Sequence, residues 1–221
     1  KPLVKRRNRI PITERLMPPT GEIEVPMNED EVREAAELFK KRGINSIIIA
    51  FLFSFLNNDH EMRAKEIVAS IHPDAYIYTS SEVVNVIREY ERFSSTAMNA
   101  YIGPKTARYL SSLENRLSKE GINSQVRIMQ SNGGISTIEN SSDRPIGLLL
   151  SGPAGGVIGA RSTGQQSDIS NIITIDIGGT SADISVIQDG ELRIKNPRDT
   201  EVASLPVLVP MLDIDAIGAG G

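Results

Sequence analysis

The sequence predicts an α/β fold in which parallel β-α-β units accompany a β-hairpin that carries a glycine loop. Two observations predict it. Helical patterns and apolar runs alternate from Asn28 to Thr79, as they do where crossover helices link parallel strands. Two β-branched runs flank a glycine turn between Asn171 and Gln188, which is typical of a hairpin.

The first part of the chain supplies the alternating elements. Asn28 is a favoured helix cap and Gly43 a favoured helix end. The mainly apolar run that follows Gly43 is typical of a strand buried on both faces. The expected elements are a helix from the Asn28 cap to Lys41, a strand over 44–53, a helix from the cap at 57–59 through Ile71, and a strand over 75–79.

The second part of the chain predicts a long helix and then the hairpin. The helical pattern begins after Ser81, is interrupted at Gly103-Pro104 and resumes to Leu117. The later elements are expected to be a strand over 126–129, a turn over 131–134, a strand over 146–150, a small-residue helix over 152–161, the hairpin strands, and a turn at Asp189-Gly190 into a strand over 191–195.

Composition excludes several classes of protein. With 39% hydrophobic and 24% charged residues, the 221-residue chain fits a globular protein with a substantial core. The net charge of −4 gives no reason to expect nucleic acid or an anionic membrane as a partner. The apolar runs are too short for a membrane span. The chain has no cysteine and two histidines, so thiolate sites and histidine metal clusters are excluded.

Both ends of the sequence suggest an excised internal segment. The chain begins at Lys1 and stops in the glycine-rich stretch 218–221. The basic run Lys5-Arg6-Arg7-Asn8-Arg9 is interpreted as a solvated segment, with a nuclear address or an anion patch as the alternative.

The stretch from Asp176 to Asp183, DIGGTSAD, has the chemistry of one half of a nucleotide site. Its two glycines allow backbone N–H groups to approach a phosphate. Its hydroxyls can donate to phosphate oxygens, and a carboxylate at the strand end can hold a hydrated divalent cation. An ordinary hairpin turn is the alternative, but six polar or glycine positions in eight exceed what a turn needs.

Three other motifs are weaker. Gly152 to Gly159 departs from the dinucleotide-binding spacing, because Ala154 stands at the second glycine position, so close helix packing is favoured. His60 lies at a helix start without a zinc pattern, and a surface histidine is expected there. Ser131 and Asn132 follow a strand, where a tight turn and a substrate-site role are equally open.

Six stretches, taken together, resemble the hydantoinase A / 5-oxoprolinase family, which includes hydantoin utilisation protein A and acetone carboxylase β-type subunits. They occur in the family's order and cover nearly the whole chain, and several long motifs are more specific than one glycine loop. The matching stretches are AFLFSFLNNDHE (50–61), REYERFSSTAMNAYIGP (88–104), IMQSNGGI (128–135), LLLSGPAGGVIGA (148–160), DIGGTSADIS (176–185) and DIDAIGAGG (213–221).

The resemblance implies a partial ribonuclease H-like fold of the actin-like ATPase type, in which ATP lies between two lobes. Residues 1–80 would end the N-terminal hydantoinase/oxoprolinase region. Residues 81–221 would begin the hydantoinase A core, with SGPAGGVIGA as the connecting helix and DIGGTSADIS as the second phosphate loop. A first phosphate loop is not found in the sequence and is expected upstream.

The resemblance also implies an ATP-dependent hydrolase that opens a hydantoin- or 5-oxoproline-type ring after phosphoryl activation, with ATP and Mg²⁺ as cofactors. The alternatives are an acetone carboxylase-type subunit and a non-catalytic nucleotide-binding module. We expect a cyclic amide as substrate, a hydantoinase B-type subunit or domain as partner, no nucleic acid, no membrane and a cytoplasmic location; a homo-oligomer stays open. Residues 1–221 alone are expected to be inactive.

Roles carried over by the resemblance fall on matching positions of this sequence. The expected site residues are Asp176 for Mg²⁺ or for positioning the nucleophile, Gly178 and Gly179 for the phosphates, Thr180 and Ser181 for the γ-phosphate, Asp183 as base or brace, Gly155 and Gly156 in the connecting helix, Gly218 and Gly220 in a further glycine loop, and Ser131 and Asn132 for the substrate.

Overall fold

The computed structural model describes residues 3–218, apart from the side chain of Arg198. The chain forms a mixed α/β structure. Its helices and strands, in chain order, are β1 (Arg15–Met17), β2 (Glu22–Val25), α1 (Glu29–Lys41), β3 (Ser46–Ile49), α2 (Asp59–Ile71), β4 (Tyr76–Thr79), α3 (Ser80–Val83), α4 (Glu89–Lys119), β5 (Arg127–Met129), β6 (Ile135–Thr137), α5 (Ile138–Asp143), α6 (Ser151–Gln166), β7 (Ile172–Ile177), β8 (Ala182–Gln188), β9 (Glu191–Leu192), β10 (Ile194–Lys195), β11 (Glu201–Val202), β12 (Leu205–Pro206), β13 (Met211–Leu212) and β14 (Ile214–Ile217).

The chain divides into two compact units, and α4 runs from the first into the second. The first unit comprises Lys1–Arg108 with Glu201–Leu208, and the second comprises Tyr109–Thr200 with Val209–Gly221. Among the described residues, none of the helices has both the length and the apolar character needed to cross a membrane.

The parallel β-α-β unit predicted in the first part of the chain is confirmed. Strand β3 pairs in parallel with β4, and α2 connects them. The Asn28 side chain caps α1 as expected, since its Oδ1 accepts hydrogen bonds from the amides of Asp30 and Glu31. The isoleucines of β3 point alternately to the two faces of the sheet, and one face packs against α1 and α2. The core on that face comprises Met27, Val32, Ala36, Ile47, Ile49, Ala64, Ile67 and Val68.

Helix α4 covers the opposite face of the same two strands. The hydroxyl of Ser46 in β3 donates to the Ala100 carbonyl at 2.6 Å. Gly103 lies so close to Tyr78 of β4 that an added Cβ would come 2.1 Å from the tyrosine oxygen. The first unit therefore has three layers, with helices on both sides of a two-stranded sheet.

The long helix of the structure differs from the prediction in where it begins and in its continuity at Pro104. It does not begin after Ser81, because the chain leaves helical geometry after Val83 and α4 begins at Glu89. Nor is it interrupted at Pro104, which lies inside α4. Pro104 has no N–H to donate to the Ala100 carbonyl four residues earlier, and the Ser46 hydroxyl of β3 donates to that carbonyl instead.

The second unit is built on an antiparallel sheet in which β8 is central. Strand β7 pairs with one edge of β8, while β14 and β9 share the other edge. Helix α6 packs on one face of this sheet. The core between them comprises Ala154, Val157, Ile187, Leu212 and Ile214, with Ile158, Ala160, Ile172 and Leu192 at its margin.

Two strand predictions in the second unit need correction. Residues 146–150 do not form a strand, because Pro145–Leu148 is a 3₁₀ helix. The expected strand over 191–195 is two short strands, of which β9 pairs with β8 and β10 pairs with β13. The turn at Asp189-Gly190 is confirmed, and both residues have positive φ angles of 53° and 76°, as a type I′ hairpin turn requires.

Candidate functional site

The hairpin of β7 and β8 places the two carboxylates of the DIGGTSAD stretch opposite each other. Asp176 and Asp183 are direct cross-strand partners in the antiparallel register. Opposite side chains in such a pair have Cβ atoms about 4.5–5.5 Å apart. Strand alternation puts both carboxylates on the face of the sheet that carries Ile172 and Ile187, which is the face that packs against α6. Asp176 is exposed and Asp183 is half-buried.

The loop between the strands is a tight turn of four residues. The Gly178 amide donates to the Ser181 carbonyl at 2.9 Å and closes it. Thr180 is exposed and Ser181 half-exposed, and their hydroxyls have no hydrogen-bond partner within the described part of the chain. The loop therefore presents two free hydroxyl groups beside the facing carboxylates.

The loop glycines are not required by the local fold. Neither Gly178 nor Gly179 has a positive φ angle. A Cβ at Gly178 would meet only the Ser181 carbonyl oxygen, at an ordinary 3.6 Å, and a Cβ at Gly179 would meet nothing within 4 Å. The space that a side chain would fill is therefore open to a ligand, which could reach the backbone N–H of Gly179.

Gly218 lies at the same end of the sheet as this loop. Ile217 of β14 is opposite Ala182 of β8, so Gly218 follows the strand at the point where the hairpin turns. The structure thus brings together the predicted residues of the hairpin and Gly218. Gly220 lies outside the described residues.

Helix α6 contains the predicted Gly155 and Gly156. A Cβ at Gly155 would meet Met129 Cγ at 3.9 Å, and one at Gly156 would meet nothing within 4 Å. Gly152 and Gly159 also face open space, and with Gly156 they form an exposed stripe. Ala154 and Gly164 are buried, as the predicted close packing of this helix requires. Close packing does not explain the glycine stripe, because nothing in the described part of the chain packs against it.

Ser131 and Asn132 form the turn between β5 and β6. The Ser131 hydroxyl lies 3.0 Å from the Gly147 carbonyl oxygen and 3.3 Å from that of Pro210, and its own carbonyl accepts from the Leu212 amide. The Asn132 Oδ1 accepts from the Gly134 amide. Ser131 is buried and ties three segments of the second unit together, whereas Asn132 is exposed.

A metal at the hairpin would have few protein ligands. No cluster of three or more histidine, cysteine, aspartate or glutamate side chains suited to a metal occurs within residues 3–218. Two facing carboxylates and two hydroxyls nevertheless fit Mg²⁺, which keeps several waters and takes one or two carboxylates together with substrate phosphates.

The first unit contains a buried polar network that was not predicted from the sequence. The Glu61 carboxylate is fully buried and accepts four hydrogen bonds, from the Phe51 amide, the Ser80 hydroxyl, and both the amide and the hydroxyl of Ser81. Each partner is at least ten residues away in sequence, so no local pattern indicated them. The surface histidine expected beside it is wrong, because His60 is buried and its Nδ1 lies 3.0 Å from Glu14 Oε2.

Arg92 belongs to the same region and is fully buried. Its Nη2 donates to the Phe51 carbonyl at 2.7 Å, and its guanidinium carbon lies 5.5 Å and 5.4 Å from the ring centroids of Phe55 and Phe93. Burial lowers the pKa of Arg92, while the charges of Glu61 and Glu89 oppose that shift. This arginine links the segment after β3 to α4.

Two family models match the chain. The hydantoinase/oxoprolinase model matches residues 92–221, and the model of the hydantoinase/oxoprolinase N-terminal region matches residues 1–72.

Three curated relatives illustrate the similarity. The chain is 33% identical to caprolactamase subunit alpha of Pseudomonas jessenii, over 99% of the chain and 31% of that protein. It is 32% identical to the acetone carboxylase beta subunit of Xanthobacter autotrophicus, over 89% of the chain and 27% of that protein. It is 36% identical to 5-oxoprolinase of Saccharomyces cerevisiae, over 88% of the chain and 15% of that protein. The chain thus spans a third or less of these relatives.

Two solved structures share the fold. The ATP-dependent caprolactamase of Pseudomonas jessenii matches with a TM-score of 0.84 at 31% identity, over 97% of this chain and 31% of that one. Nucleotide-free acetone carboxylase matches with a TM-score of 0.83 at 30% identity, over 95% of this chain and 29% of that one.

Proposed function

The chain belongs to the hydantoinase/oxoprolinase family, and from that premise we propose that it forms part of an ATP-dependent enzyme that opens a cyclic amide or imide. Caprolactamase and 5-oxoprolinase among its relatives support this substrate class. The observation that carries the proposal is local. At one end of a sheet, two facing carboxylates adjoin two free hydroxyls and two glycines that the local fold does not need.

In this proposal the hairpin binds the phosphates of ATP. The backbone amide of Gly179, and that of Gly178 after a local adjustment, would face phosphate oxygens, and the hydroxyls of Thr180 and Ser181 would donate to the γ-phosphate. Asp176 would hold the hydrated Mg²⁺, with Asp183 opposite as base or brace. Gly218 would line the same end of the sheet. ATP would supply the phosphoryl group that turns an unreactive amide into a better electrophile.

The small-residue helix supports assignment to the actin-like ATPase group with its ribonuclease H-like fold, as a further part of the proposal. In this assignment α6 is the connecting helix, and the half-buried Gly155 and the exposed Gly156 lie where a nucleotide could approach the helix backbone. Asn132, which is exposed, would face the substrate, and the buried Ser131 would hold the turn that presents it.

A second subunit or domain of hydantoinase B type is the proposed partner, because the caprolactamase and acetone carboxylase relatives are both named as subunits. Dependence on ATP favours the cytoplasm as the location. A carboxylase subunit is the second candidate function, because acetone carboxylase matches the fold about as well as caprolactamase does.

The test measures ADP release by the protein at its natural length, with its partner subunit, in the presence of hydantoins, 5-oxoproline and caprolactam, or of ketones with bicarbonate. We expect stimulation by one cyclic amide and a loss of at least about a hundredfold in Asp176→Asn, as when one electrostatic contact to the transition state is removed. Asp189→Asn, the same charge change at the other end of β8, is the control and should keep full activity. Stimulation by ketone and bicarbonate alone would favour the carboxylase, and equal activity of both variants would refute the proposed site.

A further inference from the structure

The first unit has a basic surface where the segment 5–9 meets the end of α1. Its exposed cationic side chains are those of Lys5, Arg6, Arg7, Arg9 and Arg42. None of them pairs with a carboxylate in the described part of the chain, whereas Arg33, Arg63 and Lys65 of the same unit all do. Unpaired positive charges gathered on one surface attract anions, although the net charge of the whole chain is −4.

Hydrogen bonds fix this basic segment to itself and to the end of α1. Arg6–Asn8 is a 3₁₀ turn, and the Arg9 guanidinium donates through Nε and Nη2 to the Val4 carbonyl, at 3.2 Å and 2.8 Å. The Nη1 of Arg42 donates to the Arg7 carbonyl at 2.9 Å. The cations therefore belong to a structured turn that is tied to a helix, and not to a loose tail.

A cavity of about 350 Å³ opens beside this turn, and its described lining consists of Arg7, Asn8, Arg42 and Ile44. The lining thus contains two guanidinium groups and no carboxylate. Among residues 3–218, Arg42 finds no hydrogen-bond acceptor for Nε or Nη2, and the Arg7 guanidinium finds none at all. Two guanidinium groups that border one cavity repel each other unless an anion lies between them.

Helix capping does not account for the orientation of Arg42. Cations are favoured in the last turn of a helix because they stabilise its negative end. Here the Gly43 amide donates to the Lys40 carbonyl, and the Ile44 amide donates to the Phe39 carbonyl, so the end of α1 is capped by backbone. The Arg42 guanidinium donates to the basic turn instead. Because a helix end of this kind repels anions, an anion beside it needs more than one cation, and the cavity supplies two.

We propose that this cavity binds the anionic group of a small molecule, either a phosphate or a carboxylate. Guanidinium groups present paired N–H donors that match both oxyanions, and Asn8 adds a side-chain amide to the same cavity. Two arginines suit a single anionic group, and the negative charge of the whole chain disfavours a polyanion such as nucleic acid. The inference uses no residue of the β7–β8 hairpin and holds whatever reaction the enzyme performs.

The test is arginine modification by phenylglyoxal in the protein at its natural length, followed residue by residue with mass spectrometry. The reaction is run with increasing inorganic phosphate, with increasing succinate, and with chloride alone at the same ionic strength. We expect at least one of the two anions, at about ten times its Kd, to slow the modification of Arg7 and Arg42 about tenfold. Arg6 is the matched control, because it lies in the same turn but not in the cavity lining, and its rate should not change.

Two variants test whether both arginines build the site. In Arg42→Gln the protection of Arg7 by the anion should be lost, whereas Arg6→Gln removes the same charge outside the cavity and should leave that protection intact. Protection by phosphate alone would identify a ligand that bears a phosphate, and protection by succinate alone a ligand that bears a carboxylate.

Four results would overturn the proposal. Rates at Arg7 and Arg42 that neither anion changes would mean that the cavity holds no anion. Equal slowing at Arg6 would mean that the anions act on the surface charge in general. Protection of Arg7 that survives in Arg42→Gln would mean that the two arginines do not form one site. Slow modification of Arg7 and Arg42 in chloride alone, compared with Arg6, would mean that other polypeptide covers the cavity.

Discussion

Replacing Gly156 by alanine should stabilise the chain, although the residue is proposed to serve nucleotide binding. Gly156 is exposed in the interior of α6, has no positive φ angle, and an added Cβ would meet nothing within 4 Å. Alanine therefore gains helix propensity without a clash, about 0.8–1 kcal/mol. For a chain of this size, that corresponds to a rise in melting temperature of about 2–4 °C.

Gly164→Ala is the matched control on the same helix. A Cβ there would come 2.3 Å from Ile172 Cδ1 and 2.7 Å from the Ile169 carbonyl oxygen, and the backbone oxygen cannot move aside cheaply. We expect overpacking to cost about 1–3 kcal/mol. The two substitutions should change stability in opposite directions because the surroundings of the two glycines differ.

The assay is urea denaturation of both variants, followed by far-UV circular dichroism, together with ATP affinity measured on the protein at its natural length. If Gly156 approaches a phosphate, Gly156→Ala should weaken ATP binding about tenfold or more while raising stability. A loss of stability in Gly156→Ala within the 221-residue chain would refute the open-face geometry. Unchanged ATP affinity would refute the functional role of the glycine.

The remaining predictions concern pH, the buried network and turnover. Hydrogen bonds from Arg63 hold the pKa of Glu29 at about 2, so Arg63→Gln should raise that pKa towards 4.5 in an NMR titration, and an unchanged titration would contradict this. Because the pKa of Glu29 is lowered in the folded state, the stability that it contributes is present above pH 4.5 and is lost as the pH falls towards 2. Glu61→Leu should cost about 3–5 kcal/mol in urea denaturation, since it leaves buried donors without an acceptor, and a loss below about 1 kcal/mol would show that the network is dispensable. Residues 1–221 alone should show no steady-state ATP hydrolysis, and turnover abolished by Asp176→Ala would contradict the proposal that further polypeptide completes the site.

The fold was predictable from sequence where short-range patterns decide it. The β3-α2-β4 unit follows from apolar runs and caps, and the β7–β8 register follows from a short turn between β-branched runs. The run at 146–150 shows where this reasoning fails. A short apolar stretch fits a strand or a buried helical turn equally well, and with Pro145 at its start the chain forms a 3₁₀ helix that buries Ile146.

The candidate site was predictable to a similar extent. The pairing of Asp176 with Asp183 needs only hairpin register, which sequence can supply. The burial of Glu61 was not predictable, because its partners lie 10 to 20 residues away and come together only when β3, α2 and α3 pack. His60 was misjudged for the same reason, since its partner Glu14 is 46 residues away.

Some glycines of the second unit are required by the backbone angles or by packing, and others are not. Gly133 has a φ angle of 80°, and a Cβ there would come 2.8 Å from Ile158, so packing and backbone explain it. Gly156 and Gly179 have neither constraint, and for Gly156, in the interior of α6, the choice of glycine over alanine costs about 1 kcal/mol. A glycine that neither the backbone angles nor the packing requires is best explained by something that approaches the backbone there. Because Gly179 adjoins two facing carboxylates, a phosphate with a divalent cation fits that approach better than a packed side chain does.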